Sequence, residues 1–244
     1  MSRLVVDIGN SRTKVAIFDD NKLIKNEVAE HLNAGQLRDY LKEGTIQQSI
    51  ISSVKDEIED LEDVLIGQTD YIRFSAKLNS GINNYYKSPE TLGLDRLAVV
   101  IGAMALYPRK NCLVIDLGSC ITYDAVDKNS VYKGGSISPG LNMRLRAMHE
   151  LTGRLPLISL ADFDGLEGNN TETSMLSGVV NGTFSEISGF IERYKEQYSE
   201  LQVILCGGDA NFFDTRLKNS IFAHTLKTEP DLVLIGLNEV INQQ

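Results

Sequence analysis

The sequence predicts an α/β protein of two similar halves, and three observations carry that prediction. Near the N-terminus, Leu4-Val5-Val6-Asp7-Ile8-Gly9-Asn10-Ser11 leads through Thr13 into the apolar run Val15-Ala16-Ile17-Phe18. The middle of the chain restates this as Leu113-Val114-Ile115-Asp116-Leu117-Gly118-Ser119-Cys120, leading through Thr122 to Val126. Each copy reads as an apolar strand ending in Asp, a tight turn containing Gly, a second strand and a polar hairpin loop. Helix and strand patterns alternate after the first copy, the order expected of an α/β layer.

The elements follow in turn. Leu23 to Val28 completes the first meander, and Asn33-Ala34-Gly35 opens a short helix with Leu37, Tyr40 and Leu41 on one face. Gln48 to Val54 is the next buried strand. An acidic helix with Ile58, Leu61, Val64 and Leu65 at helical spacing follows, then a short strand from Tyr71 to Phe74. Periodicity is lost from Ala76 to Pro89, a loop long enough to be functional. It leads into Gly93-Leu94-Asp95-Arg96 and an apolar helix from Leu97 to Tyr107, which places Asp95-Arg96 at a helix N-terminus. The plain alternative makes Asp95 an N-cap and Arg96 a surface residue.

The second meander runs from Cys112 to Ile137, and Leu141, Leu145, Met148 and Leu151 form a helical stripe. Thr171 to Tyr198 is a long helix whose Gly178, Gly182 and Gly189 permit close packing against another helix. Leu201 to Leu205 is a strand entering Cys206-Gly207-Gly208-Asp209, and a helix from Leu232 to Ile241 closes the pattern. The paired glycines let something approach the backbone, or simply turn the strand into a helix.

The chain has 244 residues and a formal net charge of -9, a balance that argues against a nucleic-acid partner. No apolar run reaches the roughly 20 residues of a membrane span, and the N-terminus lacks a signal-like core, so a cytoplasmic protein with no membrane partner is expected. Cys112, Cys120 and Cys206 form no C-x-x-C pair and read as reduced thiols. His31, His149 and His224 are scattered and make no zinc cluster.

The repeated unit suggests its own chemistry. A carboxylate at an apolar strand end, followed by Gly and hydroxyl residues, suits a metal-bound polyphosphate: N–H and hydroxyl groups face phosphate oxygens while Asp7 or Asp116 holds a cation or its waters. Lys14 adds a positive charge just past the first turn. The plain alternative is two ordinary hairpins whose Asp residues cap turns. A cleft between the halves would bring Asp7, Asp116 and Gly207-Gly208 to one ligand.

Taken in order, these motifs resemble the acetate and sugar kinase, Hsp70 and actin superfamily, and within it type III pantothenate kinase. The resemblance rests on Asp7-Ile8-Gly9-Asn10-Ser11 with Lys14, Gly93-Leu94-Asp95-Arg96 and Asp116-Leu117-Gly118-Ser119. It continues through Gly134-Gly135-Ser136-Ile137-Ser138-Pro139-Gly140 and Asn170-Thr171 to Ser177-Gly178. The resemblance implies two tandem ribonuclease H-like (actin-like ATPase) domains, each a mixed five-stranded sheet flanked by helices, spanning 1–95 and 96–244.

It further implies ATP-dependent phosphorylation of pantothenate to 4'-phosphopantothenate, the first step of coenzyme A synthesis. Asp7, Ile8, Gly9, Asn10, Ser11, Arg12, Thr13, Lys14 and Ser119 would bind ATP, with Asp7 near Mg2+. Asp95 would be the general base, and Tyr86, Gly93, Leu94, Asp95, Arg96 and Thr171 would contact pantothenate. Asp116 would hold a monovalent cation, K+ or NH4+, in a homodimer whose pocket the neighbouring subunit completes. Ser119-Cys120 stands where the family commonly has Thr-Ala, and Ser119 keeps the hydroxyl. Two other readings stay open: a non-catalytic transcriptional accessory relative, and a kinase of another small hydroxy acid.

Overall fold

The structure, a computed structural model, describes residues 1–10, 12–42, 45–55 and 57–244. The chain divides into two compact units, one of residues 1–108, 129–133 and 231–244, the other of 109–128 and 134–230. The expected division at residue 95 falls inside the first unit, because the helix beginning there packs on that unit.

In the first unit β1 (Ser2–Ile8), β2 (Thr13–Asp19) and β3 (Lys22–Ala29) form the expected meander. There follow α1 (Ala34–Lys42), β4 (Ile46–Ser53), α2 (Glu59–Ile66) and β5 (Asp70–Arg73). The sheet order is β3-β2-β1-β4-β5, antiparallel within the meander and parallel from β1 outward through β4 and β5. Leu4, Val5 and Val6 are wholly buried, as a central strand covered on both faces requires. One face carries α1 and α2, whose Leu37, Leu61, Val64 and Leu65 pack with Leu4, Val6 and Ile51.

Two helices of this unit come from distant parts of the chain. The loop from Ala76 holds only a two-residue strand, β6 (Asn83–Asn84), and a 3-10 turn at Pro89–Thr91 before α3 (Leu94–Leu106). At the far end of the chain α7 (Leu232–Asn242) packs against α3 and onto β1 and β4. The two helices cross at glycines: a Cβ on Gly102 would strike the Leu232 carbonyl, and one on Gly236 would strike the Ala98 carbonyl. The glycines expected to serve such packing, Gly178, Gly182 and Gly189, have nothing within contact of a built Cβ. Arg3 ties α7 down further, donating to Asn242 Oδ1 at 2.6 Å and to Gln48 Oε1 at 3.2 Å.

The second unit contains β7 (Asn111–Leu117), β8 (Cys120–Val126) and most of β9 (Val131–Pro139). These precede α4 (Leu141–Glu150), α5 (Thr171–Gln197), β10 (Leu201–Cys206), α6 (Ala210–Lys218) and β11 (Leu226–Thr228). The sheet order is β11-β10-β7-β8-β9-β6, a five-stranded sheet plus the short β6 paired to Val131 and Tyr132. Its core joins Leu113, Ile115 and Tyr123 of the sheet to Leu145, Met175, Ile187 and Phe213 of the helices. Sequence periodicity missed α6 and β11, which are short and bury few side chains each. Cys112 and Cys206 are buried and Cys120 is partly buried, and none of the three is in a disulfide. Among the described residues no helix is long and apolar enough to cross a membrane.

The α3–α7 crossing yields a test. Gly236→Ala should lower unfolding free energy by about 1–3 kcal/mol, the usual range for overpacking, while Gly178→Ala should leave it unchanged or slightly raised; urea denaturation of both variants checks this.

Candidate functional site

Backbone register brings together the first group of residues. Asp7 is the penultimate residue of β1; it pairs with Lys14 across the antiparallel β1–β2 ladder and with Ser52 across the parallel β1–β4 ladder. A partly buried carboxylate therefore stands in a row between an ammonium and a hydroxyl. The turn beyond it is closed by Gly9 N–H donating to the Arg12 carbonyl at 3.0 Å, with Asn10 and Arg12 exposed and Thr13 buried. Ser11, expected in the same phosphate loop, lies outside the described residues.

Asp95 belongs to the same electrostatic site. Burial pushes the Asp7 pKa up to about 6; the Lys14 charge opposes the shift, the Asp95 carboxylate adds to it, and a hydrogen bond from Ser52 draws it down. Asp95 is exposed in the first turn of α3, where its Oδ1 accepts from the Arg96 N–H at 2.8 Å. It is not the N-cap: that position is Gly93, whose missing Cβ leaves room for the Asp95 carboxylate. Helix α3 begins three residues earlier than the apolar pattern from Leu97 indicates, because Leu94 to Arg96 already follow helical geometry.

Arg96 corrects the plain reading of a surface residue, since it is only 5% exposed. Its guanidinium lies over the Tyr86 ring, 5.6 Å from the centroid, and Tyr86 in turn stacks on Tyr132 at 6.4 Å. The loop carrying Tyr86 is pinned by pairing of β6 with β9 and by Tyr85 N–H donating to the Tyr132 carbonyl at 2.8 Å. Partly buried Leu94 and Gly93 complete this wall beside Asp95.

In the second unit the repeated strand end is built differently. Asp116 pairs with Thr122 on β8 and with Cys206 on β10, so no lysine stands opposite it in the ladder. Gly207 has φ +91°, and a Cβ there would collide with Asp116 Oδ1 and the Leu117 carbonyl. The group approaching this glycine is thus the Asp116 carboxylate itself, while a Cβ on exposed Gly208 would meet nothing. The turn is closed by Gly118 N–H donating to the Cys120 carbonyl at 3.1 Å and leaves Ser119 exposed.

The last motif has structural duties of its own. Asn170 is the N-cap of α5, accepting from the Thr173 N–H at 2.9 Å, and Ser177 donates to the Leu166 carbonyl at 2.6 Å. Thr171 is exposed in the first turn, free of these capping duties. A cavity of about 360 Å³ lined by Arg109, Lys110, Lys128, Glu200 and His224 opens at the N-terminal ends of β7 and β10. It lies at the opposite end of those strands from Asp116 and Cys206 and shares no residue with the site.

The sequence model of type III pantothenate kinase matches residues 3–193. The chain belongs to the type III pantothenate kinase family. Among relatives of that name, one from Christiangramia forsetii is 38% identical over 98% of this chain and 97% of its own. One from Flavobacterium psychrophilum is 39% identical over 99% of each. Solved structures agree at the level of fold. A protein from Campylobacter jejuni named for the Baf family of transcriptional activators superposes with TM-score 0.59 and 23% identity, covering 98% of this chain and 97% of that one. A glucokinase from an Antarctic psychrotroph gives 0.51 at 13% identity, covering 100% and 99%. The fold of this pantothenate kinase family member is accordingly that of the sugar kinases and actin-like ATPases.

Sequence reasoning missed Ser52, which reaches Asp7 only through the parallel β1–β4 register.

The raised Asp7 pKa carries a sign. A carboxyl that holds its proton more tightly when folded weakens the fold as pH rises from about 4 through 6. In metal-free protein, Asp7→Asn should therefore be more stable than wild type by about 1–3 kcal/mol at pH 7.5, and the gain should vanish towards pH 4; denaturant titrations at several pH values measure it.

Proposed function

We propose that this chain transfers the γ-phosphoryl group of ATP to the primary hydroxyl of pantothenate, with Asp95 as the general base. The observation that carries the reading is the pairing of an exposed helix-start carboxylate, Asp95, with a strand-end carboxylate, Asp7, within one electrostatic site. Asp95 takes the hydroxyl proton as the oxygen attacks the γ-phosphorus and the bond to the β,γ-bridging oxygen breaks, releasing ADP. Arg96, fixed over Tyr86, orients the pantothenate carboxylate, and Gly93, Leu94 and Tyr86 shape that pocket. Thr171 adds a hydroxyl contact to pantothenate. Residues Asp7 to Lys14 hold the nucleotide phosphates, with Lys14 neutralising charge, and Ser119 is a further ATP contact.

The donor sets fit the cations this chemistry uses. A half-buried carboxylate with a pKa near 6 is short of positive charge, and Mg2+ at Asp7 would supply it. When bound, that ion neutralises charge on the phosphate oxygens. The Asp116 carboxylate and the Leu117 carbonyl both crowd Gly207, oxygen donors of the kind that suit a hard monovalent cation, K+ or NH4+. The exposed Gly178–Gly182 face of α5 is the surface we assign to homodimer formation, which light scattering tests.

Asp95→Asn should lower turnover by roughly 10²- to 10⁴-fold with the fold unchanged, the usual worth of a general base. A coupled ADP-release assay with pantothenate, ATP and Mg2+ measures it. Near-normal turnover would remove Asp95 from the mechanism. Run with potassium, ammonium or sodium, the same assay should show activity with the first two and little with sodium. ADP release driven better by another hydroxy acid would reassign the substrate.

A further inference from the structure

The second phosphate loop of this kinase carries little rigidity of its own: two residues, Gly118 and Ser119, separate β7 from β8. A hydrogen bond from outside the turn, Gly140 N–H to the Ser119 carbonyl at 3.2 Å, seats the loop on the start of α4, and Asp209 N–H donates to the Leu117 carbonyl at 2.9 Å just before it. Contact there is so close that a Cβ on Gly140 would collide with the Gly118 and Ser119 carbonyls. The position of Ser119 therefore depends on where the N-terminus of α4 is held.

Arg144, in the first turn of α4, holds it. Its Nε donates to the Pro139 carbonyl at 2.8 Å, and one terminal nitrogen donates to Ser138 Oγ at 2.9 Å and to Glu186 Oε2 at 2.5 Å. Glu186 projects from α5, and its other oxygen, Oε1, accepts from the Tyr123 hydroxyl at 2.8 Å. Tyr123 is fully buried on β8, the strand that leaves the loop. One carboxylate thus grips both β8 and the β9–α4 corner, the two segments between which Gly118-Ser119 is suspended. Burial pushes the Glu186 pKa up, but hydrogen bonds from Arg144, Tyr123 and Ser138 outweigh it and keep the group ionised.

We infer that Arg144 and Glu186 are positioning residues for the nucleotide, setting the place of Ser119 through the Gly140–Ser119 bond; this rests on the kinase reading above. The physical reason lies in geometry. A partly buried ion pair adds little net stability over apolar side chains of similar size. A planar guanidinium with directed N–H groups nevertheless fixes direction as well as distance. Arg144→Lys keeps the charge and loses the fork, which separates direction from charge.

Steady-state kinetics and amide hydrogen exchange on Arg144→Met, Glu186→Gln and Arg144→Lys test the assignment. KM for ATP should rise about 10-fold in the first two and less in Arg144→Lys, with KM for pantothenate within about twofold of wild type. Exchange at Gly118 and Gly140 should quicken while β10 and β11 stay as protected as before. A lowered melting temperature with KM for ATP unchanged would overturn the inference and leave the pair a structural brace. Should wild type release no ADP with pantothenate, the kinase reading fails by itself, and unchanged exchange at Gly118 and Gly140 in the variants would overturn the positioning role independently. If Arg144→Met and Glu186→Gln do not fold, Arg144→Lys decides on the same readouts.

Discussion

A single row of three side chains, Lys14, Asp7 and Ser52, organises the chemistry of the first unit, and backbone register makes it. Side chains at paired positions of adjacent strands stand side by side on one face. Once β1 pairs antiparallel with β2 and parallel with β4, Lys14 and Ser52 flank the Asp7 carboxylate. A one-residue slip would turn Asp7 to the opposite face of the sheet. The buried Leu4, Val5 and Val6 oppose that slip, because shifting them would exchange the residues facing each helical layer. Apolar packing in the body of the strand thus fixes the position of a charge at its end.

The second unit reuses the scaffold and changes the chemistry. Four residues, 9–12, separate β1 from β2, whereas only 118–119 separate β7 from β8. Thr122, and no lysine, stands opposite Asp116 in the ladder. Where Asp7 has an ammonium beside it, Asp116 has carbonyl oxygens and the left-handed Gly207. One strand end stands beside a positive side chain, and the other beside a hydroxyl residue and a left-handed glycine. The repeat is therefore one of backbone architecture, with different side chains set around each carboxylate.

Two buried guanidiniums elsewhere in the first unit are held in orientation by their surroundings. Arg3, 8% exposed, bridges β1 to Asn238 and Asn242 of α7, and Arg96 rests on Tyr86. Each guanidinium fixes an orientation that an apolar residue would leave loose. For Arg96 that orientation is set by the Tyr86 ring; for Arg3 it anchors the last helix.

From the sequence alone came the repeated strand–turn–strand units, the helices of the first half, and the ordered motifs that carry family and fold. These are legible because apolar periodicity and short turn motifs are local properties of the chain. The role of Ser52 was decided only in three dimensions, since a parallel neighbour about 45 residues away in the sequence leaves no local trace. The burial of Arg96 was hidden for the same reason: its partner Tyr86 lies in a stretch without periodicity, held in place by β9. Helix packing within the chain was the least legible. The close crossing is made by Gly102 and Gly236, which lie more than a hundred residues apart and become neighbours only when α7 returns to the first unit. Local chemistry is written along the chain; which distant surfaces meet depends on burying apolar area across the whole fold, and no single stretch encodes it.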